Sequence, residues 1–148
     1  MKAKDILLSK GNSVLSIQED ASVQQAVSEL SSRKIGFLIV RNASGEVTGV
    51  VSERDVINKC VNQKSDPEKT LVKDIMTPKE KIVLGFEEDD IESIMNTMTE
   101  KKIRHLPIFS GDQITGIISI GDVIKVLLES KDKEIQALSA YVSGNYPG

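Results

Sequence analysis

The chain has 148 residues, of which 39% are hydrophobic and 28% charged, and its net charge is −3. That length suffices for one good core or for two small cores packed on each other. The acidic balance argues against a general nucleic-acid binder, which needs a basic face to displace counterions, and the 3% aromatic content without Trp argues against base stacking.

From the N-terminus, Met1 to Lys10 is interrupted by Lys2, Lys4 and Asp5, so it is not read as a signal peptide. The apolar stretches, such as Phe37 to Val40, are too short to span a bilayer. With Cys60 as the single cysteine there is no intrachain disulfide and no multi-cysteine metal site, and a cytoplasmic location is expected. A first strand is expected near Ser13 to Ile17. Asp20 to Ser22 then cap a helix whose Val23, Ala26, Val27 and Leu30 follow the spacing of one buried face. Phe37 to Val40 reads as a strand, Asn42 to Gly45 as a tight turn, and Val47 to Ser52 as the returning strand. Ser52 caps a second helix carrying Val56, Ile57, Cys60 and Val61.

A polar linker with Pro67 follows, and Leu71 to Met76 reads as a short helix resembling Ala3 to Leu8, since both carry Lys-Asp-Ile. The pattern then repeats. A strand is expected near Lys81 to Leu84, with Asp89 and Asp90 capping a helix that carries Ile91, Ile94, Met95 and Met98, 68 residues after the first set. Lys102-Ile103 matches Lys34-Ile35, His105 to Ile108 matches Phe37 to Val40, and after one deletion in the turn Ile114 to Ser119 matches Val47 to Ser52. Val123, Ile124, Leu127 and Leu128 form the second apolar helix, and Lys131 to Val142 a helical tail ended by Gly144 and Pro147. The fold class is therefore mixed α/β (α+β), with two β-α-β-β-α repeats: residues 1–64 with the N-terminal helix, a linker at 65–70, residues 71–130, and a tail at 131–148.

Gly49 to Asp55 and Gly116 to Asp122 both fit Gly-x-x-Ser-x-x-Asp. Together with Lys102-Ile103-Arg104-His105-Leu106-Pro107-Ile108 and Asp74-Ile75-Met76-Thr77, they resemble the CBS domain family, whose tandem pair is called a Bateman module. The resemblance covers nearly the whole chain. It implies two sheets packed with pseudo-twofold symmetry and clefts between the repeats that hold AMP, ADP, ATP, NAD(H) or S-adenosylmethionine. It also implies a homodimer that senses a ligand for a regulated enzyme or transporter. No effector domain is expected within this chain, and the residues do not name the regulated partner.

The residue chemistry agrees. A carboxylate one turn into a helix, at Asp55 and Asp122, can accept from a ribose diol. Ser52 and Ser119 stand at helix N-termini, where free amides favour a phosphate. Ile35 and Ile103 can offer backbone groups and an apolar wall to adenine. Arg54, Arg104 and His105 are candidates for the phosphate end, and they are not duplicated: copy two has Gly121 where copy one has Arg54, and copy one has Gly36-Phe37 where copy two has Arg104-His105. Each residue also has a plainer role: helix cap for the serines, first-turn acid for the aspartates, surface charge for the arginines, packed residue for His105. Cys60 and Met76, Met95 and Met98 are read as core, and Glu87 to Asp90 as a solvated helix start. With one His and one Cys on separate elements, no nucleophile–base pair is evident and no catalytic role or metal is expected. The expected function is a nucleotide-binding regulatory module without nucleic-acid or membrane partners. The competing reading is an interaction protein with empty clefts.

Overall fold

The computed structural model describes residues 1–11 and 13–142; Gly144 and Pro147, expected to end the tail helix, lie outside the described residues. The chain divides into two units, Ser13–Val83 and a second made of Met1–Asn12 with Leu84–Gly148.

In the Ser13–Val83 unit, β1 (Ser16–Gln18) pairs in parallel with β2 (Phe37–Arg41) across helix α2 (Val23–Arg33). A tight hairpin returns β2 into β3 (Val47–Ser52), antiparallel, and β3 pairs with β4 (Thr77–Pro78) at the other edge. Helix α2 starts with a capping box: Ser22 Oγ accepts from the Gln25 amide at 3.1 Å, and Gln25 Oε1 accepts from the Ser22 amide at 3.0 Å. Its apolar stripe, Val23, Ala26 and Leu30, is buried against Leu38, Val40 and Val51 of the sheet. The second helix is short. Four α-helical residues, α3 (Glu53–Val56), run into a π-helical turn, Ile57–Val61, that carries the buried Cys60. Helix α4 (Val72–Ile75) closes the unit.

In the other unit, α1 (Ala3–Lys10) is followed by β5 (Gly85–Phe86), which pairs in parallel with β6 (His105–Ser110) across α5 (Ile91–Lys101). Strand β6 turns back into β7 (Gln113–Ser119), antiparallel. Strand β7 leads directly into α6 (Ile120–Val142), a single helix of 23 residues. The expected boundary between repeat helix and tail at residues 130 and 131 thus falls inside one continuous helix, because no Gly or Pro interrupts Asp122 to Val142.

The repeat extends to the backbone. Helices α2 and α5 end on lysines in the left-handed conformation, Lys34 at φ 54° and Lys102 at φ 56°. The next amides fold back onto the helix, Ile35 onto the Leu30 carbonyl at 3.1 Å and Ile103 onto Met98 at 3.0 Å.

Chain order and packing order differ in one respect. The short helix that precedes each repeat in sequence docks on the other repeat. Met1 accepts from the Ile91 amide, and the Ala3 and Lys4 amides donate to Asp89 and Glu87. In the same way Thr70 accepts from Val23, and Val72 and Lys73 donate to Ala21 and Glu19. Ion pairs repeat the pattern: Lys2 and Lys4 hold Glu88, each at 2.8 Å, and Lys73 holds Asp20 at 3.0 Å. Glu88, read from sequence as a solvated acid, is thereby fixed to α1, and its two lysine partners pull its pKa down to about 2.

Three expectations shift. The first strand, expected near Ser13 to Ile17, is Ser16–Gln18. The strand expected at Lys81 to Leu84 is replaced by a 3-10 turn at Lys79–Lys81, with β5 one residue beyond, because Pro78 starts a turn in which the Ile82 amide returns to the Lys79 carbonyl. Asp90 stands at the N-cap of α5 without a capping bond; Asp89 instead accepts from the Phe86 amide at 2.9 Å.

Candidate functional site

Both Gly-x-x-Ser-x-x-Asp segments lie where a strand becomes a helix, and each builds the same device. Ser52 Oγ accepts from the Asp55 amide at 3.1 Å while Asp55 Oδ2 accepts from the Ser52 amide at 3.1 Å. Ser119 Oγ accepts from the Asp122 amide at 3.1 Å while Asp122 Oδ2 accepts from the Ser119 amide at 2.8 Å. The motif is therefore a capping box that satisfies two of the helix's free donors at each junction. The chain just upstream closes each junction in the same way: the Gly36 carbonyl accepts from Glu53, and the Arg104 carbonyl from Ile120.

The two aspartates then part company. Asp55 is buried, with its side chain 11% exposed. Lys59, one turn on, reaches its Oδ1 at 3.0 Å, and the Thr77 hydroxyl lies at 3.4 Å from the same oxygen. Lys59 also donates to the Ile75 carbonyl at 3.2 Å, tying α4 to the junction. Both oxygens of Asp55 are engaged within its own unit.

The side chain of Asp122 is 24% exposed. Its cation is Lys10, at the end of α1, which donates to Asp122 Oδ2 at 2.7 Å and to the Ile117 carbonyl at 2.8 Å. Among the described residues no hydrogen bond reaches Asp122 Oδ1. Burial pushes the Asp122 carboxyl upward, but the hydrogen bonds from Lys10 and the Ser119 amide outweigh it and hold the group below its ordinary value, so it is ionised at neutral pH.

Around Asp122 stand Arg104, exposed, and His105, half-buried at the start of β6 and in register with Ser119. Burial lowers the His105 pKa, Lys10 and Arg104 lower it further, and Asp122 offsets part of this. The ring is thus mostly neutral at pH 7, so it can meet a ligand as a hydrogen-bonding group. Arg54 is exposed on α3. Ile35 and Ile103 are half-buried, and their amides are already used in the helix caps, leaving carbonyls and side chains to face a base.

Lys10, Lys59 and Thr77 were absent from the sequence-derived set. Lys59 carried a signal, the i+4 spacing from Asp55. Lys10 and Thr77 did not, because they join these junctions through the exchanged docking of α1 and α4. Among the described residues no group of His, Cys, Asp and Glu is placed to hold a metal ion, and no helix is long and apolar enough to cross a membrane.

Comparison with known proteins gives a consistent picture. The family model for the CBS domain matches residues 3–62 and again 72–129. A mitochondrial CBS domain-containing protein of Arabidopsis thaliana is 32% identical over 148 aligned residues, covering 96% of this chain and 72% of that protein. Among solved structures, a CBS-domain-containing protein of Agrobacterium tumefaciens is 32% identical, with a TM-score of 0.77 over 85% of this chain and 98% of the other. A CBS domain protein of Pyrobaculum aerophilum, solved in complex with AMP, shares the fold at 21% identity and a TM-score of 0.71, over 82% of this chain and 89% of its own.

Proposed function

The chain belongs to the CBS domain family, with two copies in tandem, and from that premise we propose that it is a regulatory module that binds an adenine nucleotide and performs no catalysis of its own. The observation that carries this reading is Asp122: an ionised carboxylate in the first turn of a long helix, with Oδ1 not engaged among the described residues, beside Arg104 and His105. A carboxylate oxygen of this kind accepts from a ribose diol, and the guanidinium supplies a forked donor for a phosphate. The AMP complex of the Pyrobaculum protein supports the ligand class by analogy of fold. AMP, ATP and NAD(H) are the first candidates, with ADP and S-adenosylmethionine beside them. The regulated partner is taken to be an enzyme or transporter.

A thermal-shift panel of AMP, ADP, ATP, NAD, NADH and S-adenosylmethionine tests the reading. A ligand at about 100 times its Kd stabilises the fold by roughly 2.7 kcal/mol. No shift with any of the six, at millimolar concentration, would refute it.

The module is proposed to act as a homodimer. Ile135, Leu138 and Val142 lie exposed along one face of α6, an apolar stripe that a second copy would cover. Light scattering at micromolar concentration is expected to give twice the chain mass of 16.2 kDa; a single-chain mass refutes the dimer.

A further inference from the structure

The two repeats carry the same motif but do not offer the same surface to a ligand. At Asp55 a hydroxyl (Thr77) and an ammonium (Lys59) fill the space around the carboxylate. In copy two the residue matching Lys59 is Val126, and the residue matching Thr77, at the corresponding place after the Lys-Asp-Ile helix, is Leu8. Neither supplies a polar hydrogen, and Leu8 is exposed. Among the described residues, Lys10 is the cation paired with Asp122.

Lys10 is held as a binding group would be held. An ammonium has three donors. Two are fixed, on Asp122 Oδ2 and the Ile117 carbonyl, so the position of Nζ is set before any ligand arrives. The side chain is 37% exposed, and a third donor remains for a ligand. Charge points the same way. Lys10 neutralises Asp122, His105 is neutral, and Arg104 is then the cation in excess at this junction.

We propose that the Asp122 junction takes one phosphate-bearing nucleotide per chain, and that Lys10, on the N-terminal helix, is the residue that selects for the phosphate. The inference rests on the nucleotide reading above. In this proposal Asp122 Oδ1 takes the ribose diol and the fixed ammonium of Lys10 takes the 5′ phosphate. An uncharged nucleoside gains the first contact and not the second.

Titration calorimetry with AMP and adenosine on wild type, Lys10→Met and Lys10→Arg tests this. Wild type is expected to bind one AMP per chain. Lys10→Met is expected to lose about tenfold or more in AMP affinity, as for a charge-assisted hydrogen bond, with adenosine changed less than about twofold. Lys10→Arg is expected to restore most of the AMP affinity. Equal losses for AMP and adenosine in Lys10→Met would overturn the proposal, since the lysine would then serve only to place Asp122 or α1. Tighter AMP binding by Lys10→Met would also overturn it, because the lysine would be competing with the ligand for the carboxylate. So would two AMP per wild-type chain. In each of these cases the nucleotide reading itself survives. Wild-type protein that binds neither AMP nor adenosine overturns both.

Discussion

Leu7 lies so close to Gly116 that a Cβ on the glycine would stand 2.5 Å from Leu7 Cδ2. Met76 and Gly49 repeat the relationship, with 2.9 Å to the methionine sulfur, and there the added carbon would also strike the Thr77 carbonyl. The glycine of each Gly-x-x-Ser-x-x-Asp motif is thus the seat of a docked segment: α1 on β7, and the residues after α4 on β3. Gly116→Ala is expected to cost about 1–3 kcal/mol, the range for overpacking, because the Leu7 side chain can turn aside. Gly49→Ala is expected to cost more, since a backbone carbonyl cannot. Urea unfolding of the two variants measures this, and a larger loss for Gly116→Ala would contradict it.

Asp55 is expected to matter for stability. Asp55→Ala removes the acceptor for the Ser52 amide, the partner of Lys59 and the partner of Thr77 in one step. A loss of about 1–3 kcal/mol is expected from the cap and the buried hydrogen bonds together. Asp122→Ala, at a more exposed site, is expected to lose less. Denaturation midpoints that place Asp122→Ala at or below Asp55→Ala in stability would refute the difference.

The repeat was legible because it rests on local chemistry. Helix spacing in Val23 to Leu30 and Ile91 to Met98, turn residues at Asn42 to Gly45, and the serine caps each specify their own element, and the structure has them all. Even the two lysines that end α2 and α5 sit at matched positions, although nothing in a lysine announces a left-handed conformation. The exchange of α1 and α4 was not legible. Lys-Asp-Ile specifies a helix start and an apolar face; it does not specify which of two similar surfaces receives that face. The partners that arrive through this exchange, Lys10 and Thr77, were hidden for the same reason. The asymmetry between Arg54 and Gly121 was visible in the sequence, whereas the different surroundings of Asp55 and Asp122 required the packing.

Stability is expected to fall as the pH drops below about 6.5, with His105 as the cause. Burial and the nearby Lys10 and Arg104 hold the folded His105 below its ordinary value of 6.5, against the opposing pull of Asp122. Between the two values the unfolded chain is protonated and the folded chain is not. Protons therefore favour unfolding in that window, and the effect is absent above it. Urea midpoints measured from pH 8 to pH 5 should decline in wild type and stay flatter in His105→Asn. Parallel curves for the two proteins would assign the decline to other groups.

Arg104 is expected to read the charge of the ligand without supporting the fold. Its carbonyl accepts from the Ile120 amide at 2.8 Å and so fixes the backbone beside the start of α6. That bond does not involve the side chain, and the matching bond in copy one is made by Gly36, which has no side chain. Arg104→Ala should therefore keep the local backbone and lose only the exposed guanidinium. A guanidinium that pairs with a phosphate contributes to AMP binding and not to adenosine binding. The variant is expected to lose about tenfold in affinity for AMP, in line with a charge-assisted contact of at least 1.4 kcal/mol, with adenosine affinity and urea midpoint close to wild type. Calorimetry with both ligands decides the matter. Equal losses for AMP and adenosine would mean that Arg104 shapes the base pocket or the strand, and a lowered urea midpoint would mean that its side chain supports the fold after all.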